Sequence, residues 1–352
     1  MFIYLIFVPV LLALWHYVYR RLWPRGLTAR MTFSAGPVCA GEEAEVTEVI
    51  ANRKKLPVPE LEVGFRIEKG VEFPGSDNIV TSDYVYKRDI FSLRPMEEVT
   101  RRYALSCVKR GRYHISQISV KAWSVFHDVE YEIESVGEDE LLVYAGRTDV
   151  SALTASIDAL LGSREAERRF MEDPFSFASI REYTPADPMK TVNWKATART
   201  GSLMVNTYAS VKSEKFFIFL GVTDDGILLQ EDLVEEGIRA AASLIRTLVR
   251  EGRETGLAVN SAPPAVFLPK RGAEQLSLIE RFLTADFHKE GTSDFTQLTA
   301  GTAPGRDWIC VVISKELRRD PVYGLMQFRR AGQTVLAVCP VREEGGVRLR
   351  VL

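Results

Sequence analysis

The hydrophobic pattern changes period once along the chain, near residue 147, and this change constrains the fold most. Before it, short runs rich in β-branched and aromatic residues follow one another: AEVTEVIANR (44–53), PELEVGFRI (59–67), EVTRRYALSCV (98–108), RYHISQISVKAW (112–123) and ELLVYAG (140–146). Turn formers separate them at Gly41, Pro57, Pro59, Gly70, Pro74, Pro95 and Gly111. Short strands punctuated in this way predict an antiparallel β-sandwich over residues 28–146. After the change, apolar runs at EKFFIFLGV (214–222), TGLAVNS (255–261), RDWICVVIS (306–314) and QTVLAVCPV (333–341) alternate with helical patterns. The helical segments are EDLVEEGIRAAASLIRTLVREG (231–252), GAEQLSLIERFLTAD (272–286) and part of RRDPVYGLMQFRRAG (318–332). Alternation of this kind predicts a mostly parallel, helix-covered sheet over 214–352. Between the two, residues 147–213 read as a joint, opened by the helical stripe Leu153, Ile157, Leu160 and Leu161. At 352 residues two domains are expected.

Residues 2–18, FIYLIFVPVLLALWHYV, carry no charged side chain apart from the titratable His16. A helix of that length rises roughly 25 Å, against about 30 Å for a bilayer core. Trp15, Tyr17, Tyr19 and Trp23, with Arg20 and Arg21, supply the flanks that extend such a span. A cleaved leader would place basic residues before the run; here Arg20, Arg21, Arg25 and Arg30 follow it, with no A-x-A site. The reading is a transmembrane anchor over 1–24 in the cell membrane, single-pass, with the bulk of the chain cytoplasmic. The fold class expected is therefore α+β multidomain: transmembrane helix, antiparallel sandwich, then an α/β domain.

The net charge of −2 gives no electrostatic footprint for nucleic acid. Cys39, Cys107, Cys310 and Cys339 are scattered without a C-x-x-C pair, and His16, His114, His127 and His288 have no ligand spacing. No G-x-x-x-x-G-K-[ST] loop occurs, so neither metal, redox cofactor nor nucleotide is expected. The charged segment SREAERRFMED (163–173) reads as a solvated helix face.

One stretch fits neither period: REYTPADPMKTVNWKATARTGSLMVNTY, residues 181–208. Arg181, Tyr183 and Asp187, then Val192, Trp194, Ala198 and Arg199, then Gly201, resemble the hallmark of the bacterial and archaeal family called domain of unknown function 58. That hallmark is R-x-Y-x-x-G-D followed by I-x-W-x-x-x-A-R and a small residue; Ala186 stands where glycine is usual. The resemblance covers the whole layout, including KRGRYHI (109–115) near the end of the β-rich region. It implies an N-terminal membrane segment and a C-terminal domain like that of von Willebrand factor type A. It also implies a partner, since members often lie beside genes for MoxR-type AAA+ ATPases and transglutaminase-like proteins.

The von Willebrand type A comparison implies a metal site built from D-x-S-x-S, a second-loop threonine and a later aspartate. Gly221 stands at the leading aspartate, Thr223 and Asp225 at the serines, Thr292 at the threonine and Lys315 at the later aspartate. Lost carboxylates and an added ammonium oppose a bound dication, so the site reads as degenerate. In the motif, Trp194 and Ala198 share a helical turn, as do Lys195 and Arg199. Trp194 is expected to face inward, Lys195 and Arg199 outward, and Asp187 to pair with Arg181 or Arg199. No cysteine or histidine lies nearby, and Ser176, Ser179 and Thr184 have no evident base partner. The expectation is a non-enzymatic membrane-anchored adaptor or assembly factor whose motif is a rigid turn presenting charged residues. The MoxR-type partner follows from the resemblance alone. The alternative is an enzyme with a polar site around Asp187.

Overall fold

The alternating segments before residue 147 pair into two sheets whose apolar faces meet. The structure is a computed structural model and describes residues 2–22, 26–34, 36–74, 79–81, 84–123, 130–135, 139–170, 177–185, 187–208, 214–224, 230–295, 298, 302, 304–305, 308–318, 333–343 and 346–351. The chain divides into two compact units, Met1–Arg147 with Ser277–Glu290, and Thr148–Leu276 with Gly291–Leu352.

In the first unit, helix α1 (Phe2–Leu22) precedes eleven strands. These are β1 (Leu27–Phe33), β2 (Val38–Cys39), β3 (Glu43–Asn52), β4 (Val58–Glu68), β5 (Val71–Glu72), β6 (Ile79–Thr81), β7 (Tyr84–Leu93), β8 (Glu98–Cys107), β9 (Gly111–Trp123), β10 (Glu130–Ser135) and β11 (Glu140–Tyr144). One sheet has the order β1-β3-β8-β5; the other runs β2-β11-β9-β4-β7-β6, with β10 also on β9. Every second residue points inward. Val46 and Ile50 of β3 therefore meet Leu61, Val63, Phe65 and Ile67 of β4 and Val85 and Phe91 of β7 in one core. The turn in KRGRYHI is closed by Tyr113, whose hydroxyl donates to the Lys109 carbonyl at 2.8 Å. A Cβ at Gly70, which has φ +128°, would overlap that same hydroxyl. The two arginines of the motif hold the distant segment of their unit. Arg110 donates to the carbonyls of Leu283 and Ala285 at 2.5 and 2.6 Å, and Arg112 donates to Thr284 Oγ1 at 3.0 Å.

The inward alternation of this unit includes an acid. Glu48 lies between Val46 and Ile50 and is 1 % exposed. Tyr103 Oη lies 2.8 Å from Glu48 Oε2 and 3.0 Å from Asp89 Oδ2, while Lys87 and Arg101 approach Asp89 at 3.6 and 3.8 Å. Burial pushes the Glu48 carboxyl from 4.5 up to about 7; the Tyr103 hydrogen bond opposes the rise and Asp89 adds to it. One hydroxyl donates one hydrogen, so a proton on Glu48 allows both carboxyl contacts of Tyr103 to be hydrogen bonds.

The second unit contains α2 (Ser151–Phe170), β12 (Phe177–Glu182), α3 (Trp194–Thr200), β13 (Met204–Tyr208), β14 (Lys215–Leu220), α4 (Glu231–Arg250), β15 (Glu254–Val259) and β16 (Ala265–Lys270). It continues with β17 (Trp308–Ile313), β18 (Thr334–Glu343) and β19 (Gly346–Val351); helices α5 (Ala273–Phe282) and α6 (Phe287–Glu290) lie between β16 and β17 in sequence. Its main sheet has the order β16-β15-β14-β17-β18-β19. Phe216–Leu220 are all buried, which is why that strand reads as a continuous apolar run rather than an alternation. The α4 face carrying Val234, Ile238, Ala241, Leu244, Ile245 and Leu248 is buried, and α4 packs on β14, β15, β17 and β18. Phe217, Phe219, Cys310 and Val312 share a core cluster with Cys339.

The expected fold class needs correction. The described protein is β-rich, with nineteen strands in four sheets. Phe2–Leu22 is helical and Phe7, Val8, Leu11, Leu12, Leu14 and Trp15 are each more than half exposed. Yet among the described residues no helix is long and apolar enough to cross a membrane, so the transmembrane assignment of 1–24 is withdrawn. Its apolar run is shorter than the roughly 20 residues a span needs, and Pro9 lies within it. The first unit is not wholly antiparallel, because β2 runs parallel to β11. The main sheet of the second unit is mixed: β14, β15, β17 and β18 are mutually parallel, but β16 and β19 join its edges antiparallel. Along both edge strands exposure alternates between half-buried and exposed, in β16 despite its apolar run AVFLP and in β19 with alternating polar residues, so neither is buried on both faces. The helix read within 318–332 falls almost wholly outside the described residues.

Glu48 gives a pH dependence with a definite sign. Its folded-state pKa lies above the unfolded value, so the folded state holds the proton more tightly. The stabilisation is full below pH 4.5 and is lost as pH rises through about 7, a change on the order of 3 kcal/mol. Urea unfolding between these pH values should show the decline in the wild-type protein and a flatter profile in Glu48→Gln. An equally steep decline in Glu48→Gln would assign the effect to another group.

Candidate functional site

The motif stretch folds as a two-stranded ribbon with a capped helical turn across it. Strands β12 and β13 pair antiparallel, with Ile180 opposite Asn206, Arg181 opposite Val205 and Glu182 opposite Met204. Beyond β12 the chain turns at Thr184–Asp187, where the Asp187 amide donates to the Thr184 carbonyl at 2.9 Å. A short 3-10 turn, Met189–Thr191, leads to Val192, which is buried and bridges Val205. Asn193 then caps α3: its Oδ1 accepts from the Ala196 amide at 3.0 Å, and its Nδ2 donates to Asn206 Oδ1 at 2.7 Å. The Met204 amide donates to Thr197 Oγ1 at 3.0 Å, fixing the middle of the helix to the ribbon. Gly201 ends α3 in the left-handed region at φ +78°, which accounts for the small residue at this position.

Asp187 pairs with Arg181, not with Arg199. The guanidinium donates to both carboxylate oxygens, at 2.7 and 2.6 Å, and the Thr184 amide and hydroxyl donate to Oδ2 at 2.9 and 2.8 Å. Arg181 foremost, and then Thr184, hold the Asp187 carboxyl well below the usual carboxylate range. A carboxylate with four donors is a brace for the turn and a poor general base. Tyr183 is half-buried, and its amide donates to the Leu203 carbonyl at 2.8 Å. Ala186, at the position where glycine is usual, lies outside the described residues.

The expected burial of Trp194 is overturned: the indole is 64 % exposed. Asn193 and Thr197 make the bonds to the ribbon, so the face of α3 bearing Trp194, Lys195, Ala198 and Arg199 points away from it. The apolar plug is Val192 instead. Ile180, Met189 and Leu203 are exposed as well, so apolar surface gathers along this stretch.

A second polar cluster closes the carboxyl ends of the parallel strands. Asn260, just beyond β15, is fully buried. Its Oδ1 accepts from the Val222 amide at 2.8 Å, and its Nδ2 donates to Thr223 Oγ1 and to the Ser293 carbonyl. Thr292 forms a backbone bridge with Ser261. Sequence reading missed Asn260; the polar residue that ends the apolar run TGLAV was the available signal. A Cβ at Gly221 would lie 2.6 Å from Ser314 Oγ, so an aspartate does not fit there without displacement. Lys315 forms an ion pair with Asp224, both side chains almost fully buried, and the second Asp224 oxygen accepts from the Gln230 amide at 2.7 Å. Asp225 lies outside the described residues. Among the described residues no three His, Cys, Asp or Glu side chains are grouped to hold a metal ion.

The Asp224–Lys315 pair should behave as a unit. Lys315→Met leaves a buried carboxylate without its counter-charge and should cost roughly 3–5 kcal/mol in denaturant unfolding. Adding Asp224→Asn should restore most of that loss. Full additivity of the two substitutions would mean that the groups do not interact.

Residues 179–344 match the sequence model of a family described as protein of unknown function DUF58. An uncharacterised protein of Bacillus subtilis, YeaD, is 24% identical over 249 residues, covering 69% of this chain and 58% of the relative. The chain thus spans less than two thirds of that relative's length. Among solved structures, the CARDB domain of the PF1109 protein from Pyrococcus furiosus aligns at 21% identity and a TM-score of 0.23, covering 33% of this chain and 91% of the domain. A non-cellulosomal cohesin from Archaeoglobus fulgidus aligns at 9% identity and a TM-score of 0.22, covering 32% of this chain and 92% of the cohesin. Neither alignment bears on function.

Proposed function

With the DUF58 match over residues 179–344 as premise, we propose that the chain works by protein–protein contact, as an adaptor or assembly factor. The observation behind this reading is the exposure of Trp194 on a turn that is braced on every side. A large apolar side chain gains little for the fold when 64 % of it faces solvent. Its backbone is nevertheless fixed by the Arg181–Asp187 pair, the Asn193 cap and the Thr197 bond. Rigid display of a tryptophan and an arginine on one short helix has the composition of a binding hot spot. The partner proposed is a MoxR-type AAA+ ATPase, on the family resemblance of the motif. The reading is non-enzymatic: Asp187, the carboxylate of the polar cluster, is committed to Arg181 and Thr184.

Co-expression of the full chain with the MoxR-type ATPase of the same organism tests the reading. The wild-type chain should co-purify with the ATPase, and Trp194→Ala/Arg199→Ala should lose it. The variant should melt within about 1 kcal/mol of wild type, since both residues are exposed. Retention of the ATPase by the variant, or no ATPase with the wild-type chain, would refute it.

A further inference from the structure

We propose that the outer face of α3 binds an acidic protein segment carrying an apolar anchor residue. The inference rests on the docking reading above and adds the chemistry of the partner. Helical period sets Trp194 beside Ala198 and Lys195 beside Arg199, and all four are exposed. The small Ala198 side chain leaves the face of the indole open on that side. Ile180, Met189 and Leu203 are exposed elsewhere along the same stretch.

The charges near this face are unbalanced. Asp187 is neutralised by Arg181. Lys190, Lys195 and Arg199 are exposed, and among the described residues none of them is paired with a carboxylate. Glu182 is the one exposed acid among residues 181–206. Three exposed cations without a carboxylate partner among the described residues, against one exposed acid over 181–206, favour an anionic partner and disfavour a basic one. Arginine adds bidentate recognition of carboxylates, and tryptophan supplies the apolar contact. A lipid surface fits less well: an interfacial helix buries a long apolar face, whereas α3 spans seven residues with one aromatic.

A display library of random twelve-residue peptides, panned on the full-length chain, tests the proposal. Selected peptides should be net negative with a leucine, phenylalanine or tryptophan. A synthetic consensus peptide should bind about 30-fold more weakly to Lys195→Glu/Arg199→Glu, and likewise to Trp194→Ala, which is the scale of a hot-spot residue. Its affinity should also fall as salt rises. Selection of neutral or basic peptides, or none that discriminate wild type from the charge-reversed variant, would overturn the proposal. So would charge-dependent binding to phosphatidylglycerol–phosphatidylcholine vesicles in place of peptides. The ATPase co-purification separates the two levels. If Trp194→Ala loses the ATPase and Lys195→Glu/Arg199→Glu keeps it, docking stands and the acidic partner does not. If both variants keep it, the docking reading itself falls.

Discussion

The bidentate contact between Arg181 and Asp187 is the interaction on which the candidate site depends. Arg181 leaves the ribbon at the strand end, and Asp187 lies six residues on, past a turn that contains Pro185. Closing that turn fixes where the chain re-enters as Val192, and Val192 against Val205 fixes the register of α3. The Asn193 cap and the Thr197 bond then settle which face of the helix meets the ribbon. Exposure of Trp194, Lys195 and Arg199 follows from those contacts. The hallmark residues therefore divide into a brace, namely Arg181, Asp187, Val192 and Gly201, and a displayed set.

Both units also bury charge, with different consequences. In the first, Glu48 has a hydroxyl and a nearby acid for company, and its carboxyl is pushed up to about 7. In the second, Asp224 meets an ammonium directly, in the loops at the carboxyl ends of β14 and β17. Desolvation acts on both, but a counter-charge in contact with Asp224 replaces what water would have supplied. Lys315 thus supplies the charge that balances Asp224.

The period change near residue 147 was legible because burial on one face and burial on both faces leave different patterns. Alternation along β3 and β4 marks a half-buried strand, and the unbroken run in β14 marks a buried one. Strands β16 and β19 were not legible: both are edge strands with alternating exposure, β19 has no apolar run, and the short run AVFLP of β16 ends in a proline that reads as a breaker. The polar cluster of the motif was legible as a cluster, but its orientation was not. Trp194 looks like a plug by composition, and only the hydrogen bonds of Asn193 and Thr197, which cross to β13, decide that it is displayed. Asn260 escaped notice because its three partners come from loops far apart in sequence. The segment 2–18 shows the opposite failure: an apolar run with aromatic and basic flanks suggested a span that is not supported among the described residues.

The most direct test of the account is the environment of the Trp194 ring in the free and bound states. Fluorine NMR of protein labelled with 5-fluorotryptophan, with Trp194→Phe used to assign the resonance, reads it without disturbing the fold. The account predicts a large H2O-to-D2O solvent isotope shift at Trp194 in the free chain, and its loss when the MoxR-type ATPase is added. A Trp194 resonance without that shift in the free chain would place the ring in a protein interior and contradict the display of α3.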